Sequence, residues 1–181
     1  MEFLETGIKD LWVVQPKVFS DARGYFFESY KKKSFLEKGI QVDFVQDNQS
    51  LSSKNVLRGL HFQLPPFAQG KLVRVIRGAV LDVALDIRKN SETFGKHFSI
   101  ELTEENFTML WIPEGFAHGF ATLSDNTIFS YKCTNYYEKL AEQTILWNDN
   151  DLNIDWRIDE PLLSDKDCQG QRFSEFISPF S

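Results

Sequence analysis

The sequence predicts an all-β fold, which could be a sandwich, a barrel or a jelly roll, with few and short helices. Strand-like segments follow one another along the chain, and turn-like segments separate them. The 181 residues include 17 phenylalanines, and aromatic side chains are enriched in strands. Helical patterns are confined to two short segments. With 42% hydrophobic residues and this length, we expect a single domain spanning residues 1–181.

The strands are predicted in chain order from apolar segments that end at turn residues. N-terminal strands are expected within FLETGIKDLWVVQPKVF (3–19) and GYFFESY (24–30). In GAVLDVALDI (78–87) the residues alternate with a period of two, so that Leu81, Val83, Leu85 and Ile87 lie opposite Asp82, Ala84 and Asp86. Further strands are expected at KLVRVI (71–76), HFSIEL (97–102), FTMLWI (107–112), HGFATL (118–123), TIFSYKCT (127–134) and TILWN (144–148).

Two short helices are predicted outside these strands. KKKSFLEKG (31–39) could form two turns that end at Gly39. SDKDCQG (164–170) could form one turn with Ser164 as the N-cap and Asp167 three residues later, which is the spacing of a capping box.

The charge and the cysteines restrict the partners and the compartment. A net charge of -6 argues against nucleic acid as a partner, although a local cationic pocket could bind a small anionic ligand. Cys133 and Cys168 form no CxxC pair, so we expect reduced thiols in the cytoplasm. The N-terminus lacks the basic and apolar regions of a secretory signal, and no apolar run is long enough to span a membrane.

The chain has three histidines, and two of them stand in informative surroundings. His97 lies in a plain alternating strand and reads as an ordinary strand or surface residue. His61 lies among cationic residues in a segment that otherwise reads as buried strand. His118 follows a tight turn at Pro113 and Gly115, and it could point into the mouth of a barrel or serve as a hydrogen-bonded structural histidine.

The turn at 113–118 resembles the second motif of the cupin superfamily, whose members are small double-sheet β-barrels. Many cupins bind a metal through this histidine together with an earlier His-x-His pair and a glutamate. Here His61 is followed by Phe62 and Gln63, so the His-x-His pair is missing. We therefore expect a metal-free, cupin-like double-sheet jelly-roll barrel with short peripheral helices.

A set of motifs in order carries a closer resemblance, from about residue 5 to residue 170. The motifs are DARGYFFESY, FVQDNQS, VLRGLHFQ, AQGKLVRV, WIPEGFAHGF, YKCTNYY, LWNDNDLNIDW and LLSDKD. In these motifs the chain resembles the dTDP-4-dehydrorhamnose 3,5-epimerase family, which acts in bacterial sugar-nucleotide synthesis. The resemblance implies a homodimer whose N-terminal segment reaches across to its partner, and a reaction without a cofactor.

The implied substrate is a nucleotide-diphosphate sugar, dTDP-4-dehydro-6-deoxyglucose, which is inverted at C5 and then at C3. Both carbons flank the C4 ketone, so their protons are the acidic ones. Within the same class, the alternatives are an enzyme that inverts only one carbon and a ketoisomerase of a related nucleotide sugar. A metal-dependent cupin enzyme and a non-catalytic binding barrel are the alternatives from other classes.

The resemblance also implies four catalytic roles. His61 matches the family's base, and Asp167 matches the carboxylate that pairs with it. Tyr131 matches the acid on the opposite face of the sugar, and Lys71 matches the cation near the C4 oxygen. From the sequence alone, the preferred interpretations are a helix first-turn acid for Asp167 and a core tyrosine for Tyr131, while Lys71 either extends to solvent or sits in a site.

Eight further residues are implied to contact the substrate. Arg23 and Arg58 match positions that hold phosphate oxygens, and His118 adds a polar contact near the sugar. The nucleotide-side residues are the polar Glu28, Gln46 and Asn48 and the aromatic Phe26 and Tyr136.

The spacing of Arg58 and His61 carries a structural prediction. Residues three apart on a regular strand point to opposite faces of the sheet. If both line one pocket, the strand must depart from regular geometry, and we expect a bulge near Gly59.

Overall fold

The computed structural model describes every residue from Met1 to Ser181, and antiparallel strands dominate it. In chain order the strands are β1 (Glu2–Glu5), β2 (Trp12–Gln15), β3 (Val18–Asp21), β4 (Gly24–Phe27), β5 (Gln46–Ser52), β6 (Leu57–Gln63), β7 (Lys71–Arg77), β8 (Ala79–Asp86), β9 (His97–Thr103), β10 (Met109–Ile112), β11 (Phe116–Thr122), β12 (Thr127–Cys133) and β13 (Glu142–Thr144). The α-helices are α1 (Lys32–Glu37) and α2 (Asp165–Cys168), and single 3-10 turns lie at Lys139–Ala141 and Phe173–Glu175. None of these helices has the length and apolar character that crossing a membrane requires.

The strands form two large sheets and one hairpin. The six-stranded sheet has the order β1-β2-β10-β7-β12-β5, and the five-stranded sheet has the order β13-β6-β11-β8-β9. Strands β3 and β4 pair only with each other. Most neighbours within the large sheets are distant in the chain, which is typical of a jelly roll. The predicted all-β, cupin-like double-sheet fold is confirmed.

Apolar side chains from both large sheets meet in one core cluster. Val73 and Phe129 of the six-stranded sheet pack with Val80 and Phe120 of the five-stranded sheet, and the rings of Phe120 and Phe129 stack 4.2 Å apart. Fully burying a side chain of this size contributes roughly 1.5–3 kcal/mol. This cluster fills one part of the space between the sheets, while the functional pocket described below opens from another.

Two outer layers bury the opposite faces of the sheets. Leu81, Val83 and Leu85 of β8 pack under the C-terminal segment, which contributes Trp156 and aromatic residues after 170. On the six-stranded sheet, Phe35 of α1 packs edge-on against Trp111. The predicted helices at 31–39 and 164–170 are both present, and Gly39 follows the first with a positive φ of 87°.

Strand β8 is buried on both faces, although its sequence alternates between apolar and acidic residues. Asp82 and Asp86 share the inner face with Val80 and Ala84, and neither carboxylate is exposed to solvent. Asp86 accepts hydrogen bonds from Arg88 and from the Ser91 and Thr93 hydroxyls. The polar face of this strand is therefore an interior face, and its other carboxylate, Asp82, contacts His118 of the neighbouring strand β11.

Three strand predictions differ from the structure. The strand expected at 144–148 is wrong, since the chain pairs at Glu142–Thr144 and then leaves the sheet. The strand expected at 107–112 begins only at Met109, because Phe107 has a positive φ. Strand β5 was not expected, because the segment at 46–52 lacks an apolar face. Its inward side chains are polar because they line the pocket.

Candidate active site

A pocket of about 460 Å³ opens between the two large sheets. Strands β5, β6, β7, β11 and β12 all contribute side chains to its wall. Seven of the predicted site residues line it, namely Gln46, Asn48, Arg58, His61, Lys71, His118 and Tyr131. The jelly-roll topology thus brings together side chains that are distant in the chain: Asn48 of β5 lies opposite Tyr131 of β12, and its side-chain amide donates to Sγ of Cys133, 85 residues later.

His61 and Asp167 are in contact, as the family resemblance implied. The Nε2 atom of His61 lies 2.7 Å from Oδ1 of Asp167, and this carboxyl is 2% exposed. Burial lowers the pKa of His61 and outweighs the hydrogen bond to Asp167, which raises it. Because an ionised Asp167 accepts a hydrogen bond, His61 carries its proton on Nε2 when neutral and presents Nδ1 as the free base.

Helix α2 holds Asp167 in place through a capping box. The Ser164 hydroxyl donates to Oδ2 of Asp167 at 2.5 Å, and the backbone N–H of Gly59 donates to Oδ1 at 3.0 Å. Burial raises the pKa of Asp167, but the hydrogen bonds from His61, Ser164 and Gly59 together lower it well below its ordinary value. Asp167 is therefore both a helix first-turn acid and the partner of His61.

A second histidine–carboxylate pair lies beside the first. His118 of β11 is the direct cross-strand partner of His61, and its Nε2 lies 2.9 Å from Oδ2 of Asp82. The other oxygen of Asp82 is buried without a hydrogen-bond partner. The sequence analysis placed Asp82 on the face of β8 opposite Leu81 and Val83 but assigned it no partner, since the contact joins residues 36 positions apart.

Tyr131 is half-buried in β12 and shares an inward face with Phe129 and Cys133, as predicted. It lies opposite Asn48 in the β12–β5 register. Burial is the main reason that the pKa of Tyr131 is raised, while Asn48 and Arg58 act to lower it. The phenol therefore keeps its proton at neutral pH and can donate it into the pocket.

Lys71 extends into the pocket without an ion pair. Its Nζ lies 5.9 Å from the ring centroid of Tyr131, and no carboxylate lies within salt-bridge distance of it. Burial lowers the pKa of Lys71, and the fields of Cys133 and Asp82 partly oppose this shift. An unpaired cation that is partly removed from water is costly, so its position favours a bound anion or a developing negative charge.

Strand β6 is irregular between Arg58 and His61. His118 pairs with His61 and Phe120 pairs with Arg58, so that Gly59 and Leu60 lie opposite the single residue Gly119. Gly59 has a φ of 145°, and a Cβ at this position would lie 2.5 Å from the Cα of Gly119. The expected departure from regular geometry near Gly59 is therefore present, and both Arg58 and His61 reach the pocket.

The predicted contacts from the N-terminal hairpin lie outside the pocket of their own chain. The Arg23 side chain is 90% exposed and forms an ion pair with Asp21 at 2.6 Å. Phe26 is 65% exposed, and Glu28 pairs with Lys31 at 3.0 Å. A single chain does not bring these three predicted residues together with His61 and Tyr131.

Tyr136 and Tyr137 differ in their relation to the pocket. The ring of Tyr136 is 64% exposed and does not line the pocket, whereas Tyr137 does. The Tyr137 hydroxyl donates to Glu142 at 2.9 Å, and Lys166 donates to the same carboxylate at 2.7 Å. The sequence analysis missed Tyr137, Glu142 and Lys166, because they lie in a loop, a short edge strand and helix α2, where strand parity gives no orientation.

No cluster of three or more His, Cys, Asp or Glu side chains is arranged to hold a metal ion. Each histidine of the pocket is bonded to its own carboxylate. A reaction without a metal stays a prediction, and a test is given below.

Comparisons with known proteins agree with the fold. The family model of dTDP-4-dehydrorhamnose 3,5-epimerase matches residues 5–175. A dTDP-4-dehydrorhamnose 3,5-epimerase of Shigella flexneri is 56% identical over 174 residues, which cover 96% of both proteins. The crystal structure of a protein of that name from Elizabethkingia anophelis has a TM-score of 0.93 at 49% identity, with 97% of each chain covered.

A further solved structure contains a ligand. The dTDP-6-deoxy-D-glucose-3,5-epimerase of Legionella pneumophila, in complex with dTDP-4-keto-L-rhamnose, has a TM-score of 0.93 at 46% identity. The comparison covers 97% of this chain and 94% of that one. The similarity therefore extends over nearly the full length of each protein.

Proposed function

Because the chain belongs to the dTDP-4-dehydrorhamnose 3,5-epimerase family, we propose that His61, Tyr131 and Lys71 carry out the family's reaction in the pocket between the sheets. The chain is an isomerase that inverts C5 and C3 of a dTDP-4-dehydro-6-deoxyhexose, converting dTDP-4-dehydro-6-deoxyglucose to dTDP-4-dehydrorhamnose. The roles of the individual residues are the proposal, and they follow from the geometry and from the chemistry of the sugar.

The reaction needs a base on one face of the sugar and an acid on the other. The ketone at C4 makes the hydrogens on C3 and C5 acidic, because their removal gives an enolate. The observation that carries the proposal is a partly buried His61, with a lowered pKa and bonded through Nε2 to Asp167, in the same pocket as Tyr131. Nδ1 of His61 accepts the proton, Asp167 stabilises the imidazolium, and the Tyr131 hydroxyl protonates the opposite face. Exchange with solvent then returns both side chains to their starting states.

Lys71 is proposed to stabilise the enolate. Its ammonium has no carboxylate partner, so a charge that develops on the C4 oxygen would meet a free cation in a partly desolvated site. Removing one such donor costs roughly 10²–10³-fold in kcat in other enzymes.

The rest of the pocket is proposed to hold the nucleotide. Arg58 can bind phosphate oxygens in a fork, and its only side-chain contact is a 3.4 Å bond to Ser52. Gln46 and Asn48 lie side by side on β5 and offer amide groups to the base. Tyr137 replaces Tyr136 as the proposed stacking partner, because Tyr137 lines the pocket.

A homodimer with exchanged N-terminal segments is also proposed. The hairpin β3–β4 carries Arg23 and Phe26 away from the pocket of its own chain, and Glu28 follows directly after it. Contacts from these residues to substrate require the pocket of a second chain. We further propose that residues 1–181 act as one domain and that the enzyme works in the cytoplasm, where its two unpaired cysteines would stay reduced.

Proton exchange in deuterated water tests the reaction and the roles together. The wild-type protein should place deuterium at both C3 and C5 of the product, as read by NMR. His61→Ala should abolish exchange at both carbons. Tyr131→Phe should still label the recovered substrate, because abstraction and return on one face remain, but inversion should stop.

Other outcomes of these experiments would contradict parts of the proposal. Label at one carbon would indicate a single-centre epimerase, and exchange that persists in His61→Ala would contradict its role as the base. Turnover should also survive dialysis against a chelator. Loss of turnover that a divalent metal restores would contradict a reaction without a metal.

A further inference from the structure

One buried amide, that of Gln63, joins the two loops that frame one wall of the pocket. Gln63 ends strand β6 two residues after His61, and it is 5% exposed. Its Nε2 donates to the carbonyl of Phe67 at 2.6 Å and to that of Tyr136 at 3.1 Å. Its Oε1 accepts from the backbone N–H of Glu138 at 2.7 Å.

Only a glutamine side chain fits this arrangement. Two backbone carbonyls require two N–H donors, and one backbone N–H requires an acceptor, so the orientation of the amide is fixed by its surroundings. A carboxylate would face two carbonyl oxygens, and an apolar side chain would leave three backbone groups unsatisfied. Leaving such groups without their partners is unfavourable where water does not replace the lost hydrogen bonds.

The two loops carry side chains that line the pocket. Residues 64–70 contribute Gln69, and residues 134–138 contribute Tyr137. The loops also hold each other, since Gln69 donates to the carbonyl of Asn135 at 2.7 Å and Asn135 donates to that of Pro66 at 3.0 Å. Gln63 bonds to both loops from the end of strand β6, which carries His61.

We propose that Gln63 is a positioning residue for nucleotide binding: its amide fixes the loop of Tyr137, and so sets the aromatic wall against which the nucleotide end of the substrate lies. This inference rests on the proposed function of the pocket. The neighbouring backbone N–H of Tyr137 donates to Gln46 at 2.9 Å, which links the same loop to the proposed nucleotide contacts. Gln63 touches no reacting atom in this scheme, so it should affect binding of the substrate rather than the proton transfers.

The test compares Gln63→Met and Gln63→Glu with wild type. Gln63→Met keeps the volume and removes all three hydrogen bonds, and Gln63→Glu keeps only the acceptor. We expect both variants to raise KM for the nucleotide sugar and Kd for dTDP by roughly tenfold, with kcat within about twofold, because ground-state contacts are lost. Gln143→Met is the matched control, since this neighbouring half-buried glutamine forms no side-chain hydrogen bond and should leave all three constants unchanged.

A double-mutant cycle identifies the route of the effect. If Gln63 acts through Tyr137, Gln63→Met should change Kd for dTDP by less than about twofold in a Tyr137→Ala background, because contacting residues are not additive. Thermal midpoints verify that each variant is folded at the assay temperature.

Two results would overturn the inference. One is a KM and a dTDP Kd within twofold of wild type in both folded variants, and the other is a fall in kcat without any change in binding. A purely structural role would lower the thermal midpoint and leave dTDP binding unchanged. An inactive wild-type protein that still binds dTDP more tightly than its Gln63 variants would contradict the proposed reaction and leave the positioning role supported.

Discussion

The basicity of His61 is set by two neighbours that act in opposite directions. Burial lowers its pKa from the ordinary value of 6.5, and the carboxylate of Asp167 raises it. The net pKa is lowered, so the imidazole is neutral and able to accept a proton at pH 7. Asp167 stays ionised throughout this range, because its own pKa is also lowered.

We predict that the acid limb of kcat/KM lies below pH 6.5 and that Asp167→Asn moves it lower still. Loss of the carboxylate removes the contact that raises the pKa of His61, and it also leaves the imidazolium unsupported. The plateau should therefore fall by roughly 10²–10⁴-fold. The measurement is kcat/KM from pH 5 to 8 for both proteins. An acid limb above pH 6.5 in wild type, or one that rises in Asp167→Asn, would contradict this account.

The same two groups make the free energy of unfolding depend on pH. Both pKa values are lower in the folded protein than in the unfolded chain, so each contribution is present above the unfolded value. As the pH falls, the contribution of His61 is lost first, from about 6.5 downward, and that of Asp167 follows below its ordinary 3.8. The thermal midpoint should decline over this range, which scanning calorimetry at several pH values would measure.

Lys71 should lower the stability of the folded protein while it increases kcat. Lys71→Met removes a half-buried cation without an ion pair, and an unpaired charge that is partly removed from water disfavours the folded state. We therefore predict a thermal midpoint equal to or above that of wild type, with a kcat that is roughly 10²–10³-fold lower. The exposed Lys54→Met serves as the control, and both quantities should be unchanged there. A destabilised Lys71→Met with normal kcat would assign this residue a structural role.

At the scale of elements, helix α2 links its N-terminal cap to the proposed reaction, because Asp167 belongs to both. Ser164 caps the helix and donates to the oxygen of Asp167 that does not face His61. Ser164→Ala should lower the free energy of unfolding by about 1 kcal/mol. It should also reduce kcat several-fold, since Asp167 loses one of the contacts that orient it and that lower its pKa.

Ser164→Thr is the matched variant for this prediction, because it keeps the hydroxyl in the same cap. It should retain most of the stability and of kcat, as chemical unfolding and initial rates would show. Equal kcat in the Ala and Thr variants would mean that the cap and the catalytic pair are independent.

Elements with a strong local signal could be predicted from the sequence, and those defined by distant partners could not. Helix α2 follows from Ser164 and Asp167, and the irregularity at Gly59 follows from the spacing of Arg58 and His61. Strand β5 could not be predicted from an apolar pattern, because its inward face lines the pocket. Asp82 could not be paired with His118, because only the register of β8 with β11 brings them together.

Within the site, the directions of side chains in loops could not be predicted from the sequence either. Strand parity placed Tyr131 on the inner face correctly, but it gives no orientation for the adjacent Tyr136 and Tyr137, whose directions depend on the hydrogen bonds of their loop. The contact between His61 and Asp167 spans 106 residues, so it was predictable only through the family resemblance.

For the whole molecule, the position of the N-terminal hairpin bears on the number of chains in one active site. Strands β3 and β4 pair with neither large sheet, and Phe19, Tyr25 and Phe26 on this hairpin are more than half exposed. Aromatic side chains that are exposed on a single chain are typical of an interface between subunits. Each pocket would then combine His61 from one chain with Arg23 from the other.

Subunit mixing tests this arrangement directly. Arg23→Ala and His61→Ala homodimers should each be nearly inactive, since every pocket lacks one residue. In a dimer of one subunit of each kind, one pocket contains both natural residues and the other contains neither. Random exchange of subunits should therefore restore about a quarter of the wild-type kcat/KM. The measurement is activity after the two variants are unfolded and refolded together, with each refolded alone as the control. Mixtures that recover nothing would mean that Arg23 serves the pocket of its own chain, and an active Arg23→Ala homodimer would mean that it serves none.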